Sequence, residues 1–319
     1  MMRLFLMALG MLLTTLILLG VAGFLVFAER RVLAFLQNRL GPNRLGPLGV
    51  GQALADALKL MSKESFVPDF ADPALYRAAP VLVAFSALAS FAVVPLDQHF
   101  SWAGNWNIGL LFILAMSSLN AYGVFLGGWA SGNKFSLLGA VRAVAQLVSY
   151  ELPMGLALLG VVLLSGSLSL NGIVAAQNLP YIVLQPLGFV IFLTAGVAET
   201  HRLPFDLPEA ESELVAGFNT EYGGMRFGYF FLGEYLGMTL IAVLTALLYL
   251  GGWHGPWLPG WIWLLLKTGA IIFVFFWLRA TLPRPRYDQL MGLGWKVLLP
   301  LALFNILATA LAAALWRLA

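Results

Sequence analysis

Between Arg3 and Glu29 the chain carries no charged residue: Leu4 to Ala28 is one continuous uncharged, mostly apolar run. As a helix it reaches about 37 Å, more than the roughly 30 Å of a bilayer's hydrocarbon core. A cleaved leader has a shorter apolar stretch and a small-residue cleavage site. This run ends instead in Phe27-Ala28-Glu29-Arg30-Arg31, which predicts a permanent first membrane helix. Further segments of membrane length and apolarity fall near 78–97, 107–127, 143–165, 181–199, 228–250, 259–280 and 296–316. The expectation is an all-α integral membrane protein with about eight transmembrane helices, residues 1–319 forming a single polytopic domain. A seven-helix alternative arises if the fourth or fifth segment is re-entrant.

Composition supports the bilayer as solvent. The chain is 61% hydrophobic and 10% charged, against about 25% charged in soluble domains. It has no cysteine, which excludes disulfides and thiolate ligation of an iron–sulfur cluster. His99, His201 and His254 are far apart in sequence and suggest no metal site.

With eight spans both termini share one side, and the loops 29–77, 128–142, 200–227 and 281–295 share the other. Of the 18 Lys and Arg residues, 15 lie on the loop side or at its helix ends; Arg3 and Arg317 lie opposite and Lys267 is within a span. The positive-inside rule therefore predicts cytoplasmic loops and external termini. Trp102, Trp106, Trp253, Trp257, Trp261 and Trp316 fall where an outer aromatic belt is expected. Gly127 to Lys134 (GGWASGNK) resembles a phosphate loop only in its glycines, because Asn133 separates Gly132 from Lys134, and reads as an interfacial turn.

The loops carry more information than their length requires. In residues 29–64, Val32, Leu33, Phe35 and Leu36 suit the membrane interface while Arg30, Arg31 and Arg39 stay wet. Pro42, Pro47 and four nearby glycines impose turns. An amphipathic helix follows, with Val50, Leu54, Leu58 and Met61 on one face and Gln52, Asp56, Lys59 and Lys63 on another. It reads either as a surface anchor or as the wall of a cavity.

Residues 199–226 hold six carboxylates, Glu199, Asp206, Glu209, Glu211, Glu213 and Glu221, against Arg202 and Arg226. A solvated acidic face is the usual fate of such a run. Here the acids alternate with Pro204, Phe205, Leu207, Pro208, Leu214, Val215 and Phe218, and the loop joins two spans. Glu151 and Glu234 each lie about two turns inside a span from the loop side. A carboxylate at that depth is costly and marks function or a structural ion pair. Desolvation and like-charge neighbours favour its protonated form, which suits proton exchange near neutral pH. Arg279, Arg284 and Arg286 cluster at a helix end, suited to lipid phosphates or to the acidic loop.

In order, ERR, QNRLGPNRLGP, ALADALKL and KE, then AETHRLPFDLPEAESELVAGFNTEY, FFLGEY and RATLPRPRYDQLM with LGWK closely resemble the membrane subunit at the heel of NADH–quinone oxidoreductase, respiratory complex I. This is the H-type subunit of the bacterial complex and the corresponding mitochondrially encoded subunit 1. The resemblance covers every loop on the basic side and the full order of spans. It implies eight transmembrane helices and a quinone chamber shared with the peripheral arm, entered by a portal at helix 1, the amphipathic helix and helix 6. It implies that Arg30, Arg39, Asp56 and Arg279 lie at the portal and chamber, and that Asp206, Glu209, Glu211 and Glu213 lie beside the quinone path. It assigns Glu151, Glu199 and Glu234 to a buried carboxylate route towards proton pumping. It implies no catalytic or metal-binding residue and no redox centre in this chain. Quinone would be the substrate, with FMN and iron–sulfur clusters on partner subunits of the complex, a bacterial plasma membrane as location, periplasmic termini, and no nucleic-acid partner.

Two positions depart from the family pattern: His201, where Asn is usual, and Pro285, where a bulky residue is frequent. His201 is expected to titrate near neutral pH and so alter the loop's charge. The competing readings are the homologous subunit of a membrane-bound hydrogenase or formate hydrogenlyase, and an independent ion transporter. The latter would show an internal repeat or broken helices near the midplane, neither of which is evident in the sequence.

Overall fold

A computed structural model describes the backbone of residues 2–97, 106–208 and 211–318, and the side chains of residues 9–97, 106–208 and 213–315. The described residues contain helices and no β-strand. Helix α1 (Met2–Leu36) leads through turns to the short amphipathic α2 (Gln52–Ser62). The next spans are α3 (Pro73–Ser90), α4 (Gly109–Ala130) and α5 (Lys134–Ser165). Two short helices, α6 (Leu170–Ala175) and α7 (Tyr181–Leu184), precede α8 (Pro186–Glu199). A single turn, α9 (Glu211–Leu214), lies in the acidic loop before α10 (Gly224–Tyr249) and α11 (Gly260–Thr281). Finally α12 (Tyr287–Gly292) runs through a π-helical segment, Leu293–Leu298, into α13 (Leu299–Leu318).

Seven of the described helices are long and apolar enough to cross a membrane, and α8 is a shorter apolar one. The expected eight segments are therefore all helical, but the fifth is interrupted. Pro186 supplies no N–H and restricts the residue before it, so Gln185 leaves helical geometry and splits the segment into α7 and α8. One helix break thus exists where the sequence reading saw none.

Other boundaries also moved. α1 continues without a break through Val32 to Leu36, so the expected interfacial segment is the last turn of the first span. α5 starts at Lys134, nine residues before the predicted 143, because Asn133 caps it by accepting from the Phe135 N–H at 2.9 Å. Arg142 lies inside that helix and reaches out to Glu213 at 2.6 Å. The long basic side chain placed it outside the span in the sequence reading, whereas its stem lets the charge reach the loop while the backbone stays helical. Glu151 is consequently seventeen residues into α5 rather than two turns in.

The core forms around α10, whose most apolar stretch is 78% buried, against 17% for α1 at the edge. Val83 of α3 is gripped between Gly123 of α4 and Gly233 of α10: a β-carbon on either glycine would come within 2.5 Å of it. Small residues permit this approach in lipid, where packing rather than hydrophobicity holds helices together. At the far ends of the spans, Gln177 Nε2 donates to the Leu247 carbonyl at 2.7 Å, and Lys267 Nζ donates to the Gly252 and His254 carbonyls at 2.8 Å each. These bonds satisfy acceptors around the end of α10 that the helix leaves open. Among the expected belt tryptophans, Trp106, Trp257 and Trp261 are exposed and Trp253 is buried. Trp102 lies outside the described residues, as does the side chain of Trp316.

The acidic loop is folded into the protein. Leu207, Leu214, Phe218 and Tyr222 are buried. Gln146 of α5 clamps the loop by donating to the Ala198 and Phe205 carbonyls at 2.7 and 2.8 Å, and Ser136 donates to the Phe218 carbonyl at 3.1 Å. Gly217, at φ +56°, passes so close to α5 that a β-carbon on Gly139 would stand 2.7 Å from its Cα. The described parts of the loop, residues 200–208 and 213–223, are therefore largely packed against the bundle, with Glu213 and Val215 exposed.

Candidate functional site: buried carboxylates and an arginine hub

Glu29 ends the uncharged run of α1 and is 3% exposed. Arg202, at the start of the acidic loop, donates from Nη1 to both Glu29 oxygens at 3.0 and 3.3 Å. Its Nη2 stands 3.7 Å from Glu234 Oε2 of α10, and its guanidinium lies over the Tyr235 ring at 4.1 Å. Arg279, in the last turn of α11, bonds the other side of Glu29. Two acids and two guanidiniums thus meet with zero net charge. That balance is what burial demands, because an unpaired ion in an apolar interior costs several kcal/mol.

A cavity adjoins this hub, lined in part by Ser86, Ser90, Ser117, Asn120, Glu199, His201 and Glu234. It holds about 60 Å³ of water-reachable space, enough for a few water molecules. Glu199 accepts a hydrogen bond from Ser117 Oγ, and Glu151 accepts one from Ser118 Oγ at 2.5 Å. Consecutive residues of a helix point about 100° apart. α4 therefore hands one hydroxyl to Glu199, at the end of α8, and the next to Glu151 of α5. Glu199 and Glu151 are close enough to interact electrostatically. Glu199 Oε2 is buried with no hydrogen-bond partner among the described residues. Neither Glu151 nor Glu199 forms a salt bridge among the described residues. The three acids expected in one route are thus brought together, but on unequal terms: Glu234 leans on Arg202 and the other two lean on serines.

The residues expected at the chamber separate into three places. Arg30 pairs with Asp56 of α2 at 2.6 Å, and Gln52 donates to the same carboxylate at 2.9 Å. Arg30 shares an open recess with Arg39, Arg44 and Gln52. Arg279 belongs to the Glu29 hub. Asp206 pairs with Arg284 at 3.3 Å and Glu213 with Arg142 at 2.6 Å. The fourth-loop arginines therefore divide: Arg284 meets the acidic loop, while Arg286 pairs with its neighbour Asp288 at 3.4 Å. Glu209 lies outside the described residues, and so does the side chain of Glu211. Leu54, Leu58 and Met61, the apolar face of α2, are exposed in this chain.

Residues 9–310 match the model of the NADH dehydrogenase family. The chain belongs to this family. It is 56% identical over 302 residues to a Geobacter metallireducens protein described as an H-type subunit, form 1, of NADH-quinone oxidoreductase, with 92% of each chain covered. It is 54% identical over 311 residues to the form 2 protein of that description from Cereibacter sphaeroides, covering 97% of this chain and 98% of the other. A third relative, the form 2 protein of Syntrophobacter fumaroxidans, is 52% identical over 302 residues.

In this member of the NADH dehydrogenase family the sequence reading passed over Glu29, Arg202, Ser117 and Ser118 as site residues. For Glu29 a signal was present: it is the first charge after a span-length uncharged run, and its position carries it to the edge of the core. For the two serines none was, since buried hydroxyls in an apolar helix usually bond back to their own backbone. His201 overturns an expectation. It is buried, and burial pushes its pKa down to about 4, against a smaller upward effect from its hydrogen bond to the Ala143 backbone. It is neutral at pH 7 and adds no charge to the loop. Its φ of +49° lies in the left-handed region, which Asn and His tolerate better than most residues.

Proposed function

We propose that this chain is the H-type membrane subunit of a proton-translocating NADH–quinone oxidoreductase and works as a multi-pass component of that enzyme. The observation that carries the reading is the near end-to-end identity with chains described as that subunit. Those relatives are named for the quinone enzyme, which favours it over a hydrogenase component. The buried carboxylates support a role in coupling.

In this reading the chain is one membrane domain in a bacterial plasma membrane, with its termini periplasmic. Arg30, Arg39, Asp56, Arg279, Asp206, Glu209, Glu211 and Glu213 border a quinone chamber completed by subunits of the peripheral arm. Those partners hold FMN and iron–sulfur clusters and supply electrons. Quinone takes up two electrons and two protons to become quinol. In a low-dielectric chamber each such change of charge has long reach. The Arg202 guanidinium, held between Glu29 and Glu234, is the contact through which a charge change at the loop reaches Glu234. Glu234 borders the cavity that Glu199 shares, and Glu151 lies within electrostatic range of Glu199. Protons redistribute among these acids through the cavity's waters and the Ser117 and Ser118 hydroxyls.

Asp206→Asn tests the chamber. Quinone reduction by the assembled enzyme should fall severalfold, while electron transfer from NADH to an artificial acceptor stays near normal; an equal fall in both activities would refute the assignment. Orientation is tested by a cysteine at position 134, clean because the native chain has none. Labelling from the cytoplasmic side is expected, and labelling from the periplasmic side alone would invert the topology.

A further inference from the structure

The other half of the bundle, towards the chain termini, contains a polar nest separate from the carboxylate cavity. Gln185 stands at the break between α7 and α8 and is 2% exposed, and Asn305 of α13 is 6% exposed. Gln185 Nε2 donates to Thr309 Oγ1 at 2.8 Å, and that hydroxyl donates to the Asn305 carbonyl at 2.7 Å. Two buried polar atoms remain without a partner among the described residues: Gln185 Oε1, an acceptor, and Asn305 Nδ2, a donor. Leaving such groups unsatisfied in an apolar interior is costly.

Two glycines let helix backbone approach these amides closely. A β-carbon on Gly188 would lie 3.1 Å from Asn305 Nδ2, 3.3 Å from Gln185 Oε1 and 3.5 Å from Tyr249 Oη. One on Gly160 would lie 2.9 Å from Gln185 Nε2 and 3.2 Å from both Asn305 Nδ2 and Gln185 Oε1. A donor, an acceptor and a hydroxyl therefore converge beside two positions that bear no side chain.

We propose that this nest binds a buried water molecule, which donates to Gln185 Oε1, accepts from Asn305 Nδ2 and lies beside the Tyr249 hydroxyl. The residues that form it are neutral. A metal cation would need a shell of about six oxygens, whereas here a donor N–H points inward. Water alone both gives and takes at this size, so it serves the two amides together. The position is specific. α5, α8 and α10 carry Glu151, Glu199 and Glu234, and the same three helices form the nest through Gly160, Gly188 and Tyr249. At 1.5 Å per residue those positions lie roughly 14 to 22 Å further along the helices. The site is thus a second hydrated station on the helices that hold the acids, next to the proline break that left Gln185 free to turn inward.

The test is a high-resolution electron cryomicroscopy map of the assembled enzyme in lipid nanodiscs, recorded in sodium and in choline buffers. A density within about 3.2 Å of both Gln185 Oε1 and Asn305 Nδ2 is expected, unchanged between the buffers and lost in Asn305→Leu. A direct Gln185–Asn305 hydrogen bond with no density between would overturn the proposal. So would density that disappears in choline, which marks a cation, or density that persists in Asn305→Leu. Should that variant fail to assemble, the wild-type maps still decide, and they do so whatever role the chain has in quinone chemistry.

Discussion

Glu29 and Glu199 are the same side chain at the same side of the bundle, in opposite settings. Glu29 is held by two guanidiniums, Arg202 and Arg279. Glu199 has one serine hydroxyl, a second carboxylate in range and an oxygen left unpartnered beside a cavity. Burial alone therefore does not define a proton-exchanging acid; the charge of its neighbours does. Glu29 is held by two guanidiniums, as a brace between α1, α11 and the acidic loop. Glu199 has no salt-bridge partner among the described residues, and the proposed proton exchange falls to it. Glu234 joins the two, touching Arg202 on one side and the cavity on the other.

The comparison breaks most visibly at Glu29. Glu29→Gln removes the carboxylate that Arg202 and Arg279 share, and stranding a buried charge costs about 3–5 kcal/mol. The amount of assembled enzyme on a native gel should fall sharply. Adding Arg279→Gln returns the hub to neutrality and should restore part of it; two losses that simply add would show that the hub is not a coupled unit. Glu199→Gln should do the reverse. It keeps shape and hydrogen bonding but cannot ionise, so assembly should stay near normal while quinone-linked turnover and pumping fall by about tenfold or more. Wild-type turnover with a wild-type proton-to-electron ratio would make Glu199 structural and remove the contrast.

The smallest effect concerns His201, which lines the same cavity as Glu199. Its folded pKa, about 4, lies below the ordinary 6.5. Between those values the unfolded chain binds the extra proton, so this contribution to stability is fully present above pH 6.5 and is lost as pH falls towards 4. The slope approaches about 1.4 kcal/mol per pH unit within that window. His201→Asn, compatible with the positive φ, should flatten the acid side of the thermal-stability profile between pH 6.5 and 5. An unchanged profile would mean that His201 is not buried in neutral form.

Much of this was legible along the chain. The helical, membrane-length segments and the peculiarity of the acidic loop follow from local properties: the length of an apolar run and how acids alternate with apolar residues. Helix ends were less legible, because a long side chain such as Arg142 lets a helix run past a charge, and because Pro186 interrupts a run that hydropathy reads as continuous.

Partnership was barely legible: of the pairs, only the meeting of the fourth-loop arginines with the acidic loop was anticipated, and Arg284 alone makes it. Glu29 meets Arg202 across 173 residues, Ser117 meets Glu199 across 82, and Gln185 meets Thr309 across 124. No local pattern encodes such pairs. Whether a buried carboxylate is braced or free depends on which charges the packed helices bring within a few ångströms of it, and in a low-dielectric interior those few ångströms decide its chemistry. The sequence by itself determined that acids would lie within the membrane spans on the basic side. Tertiary packing decided that Glu29 is neutralised by arginines and that Glu151 and Glu199 are not.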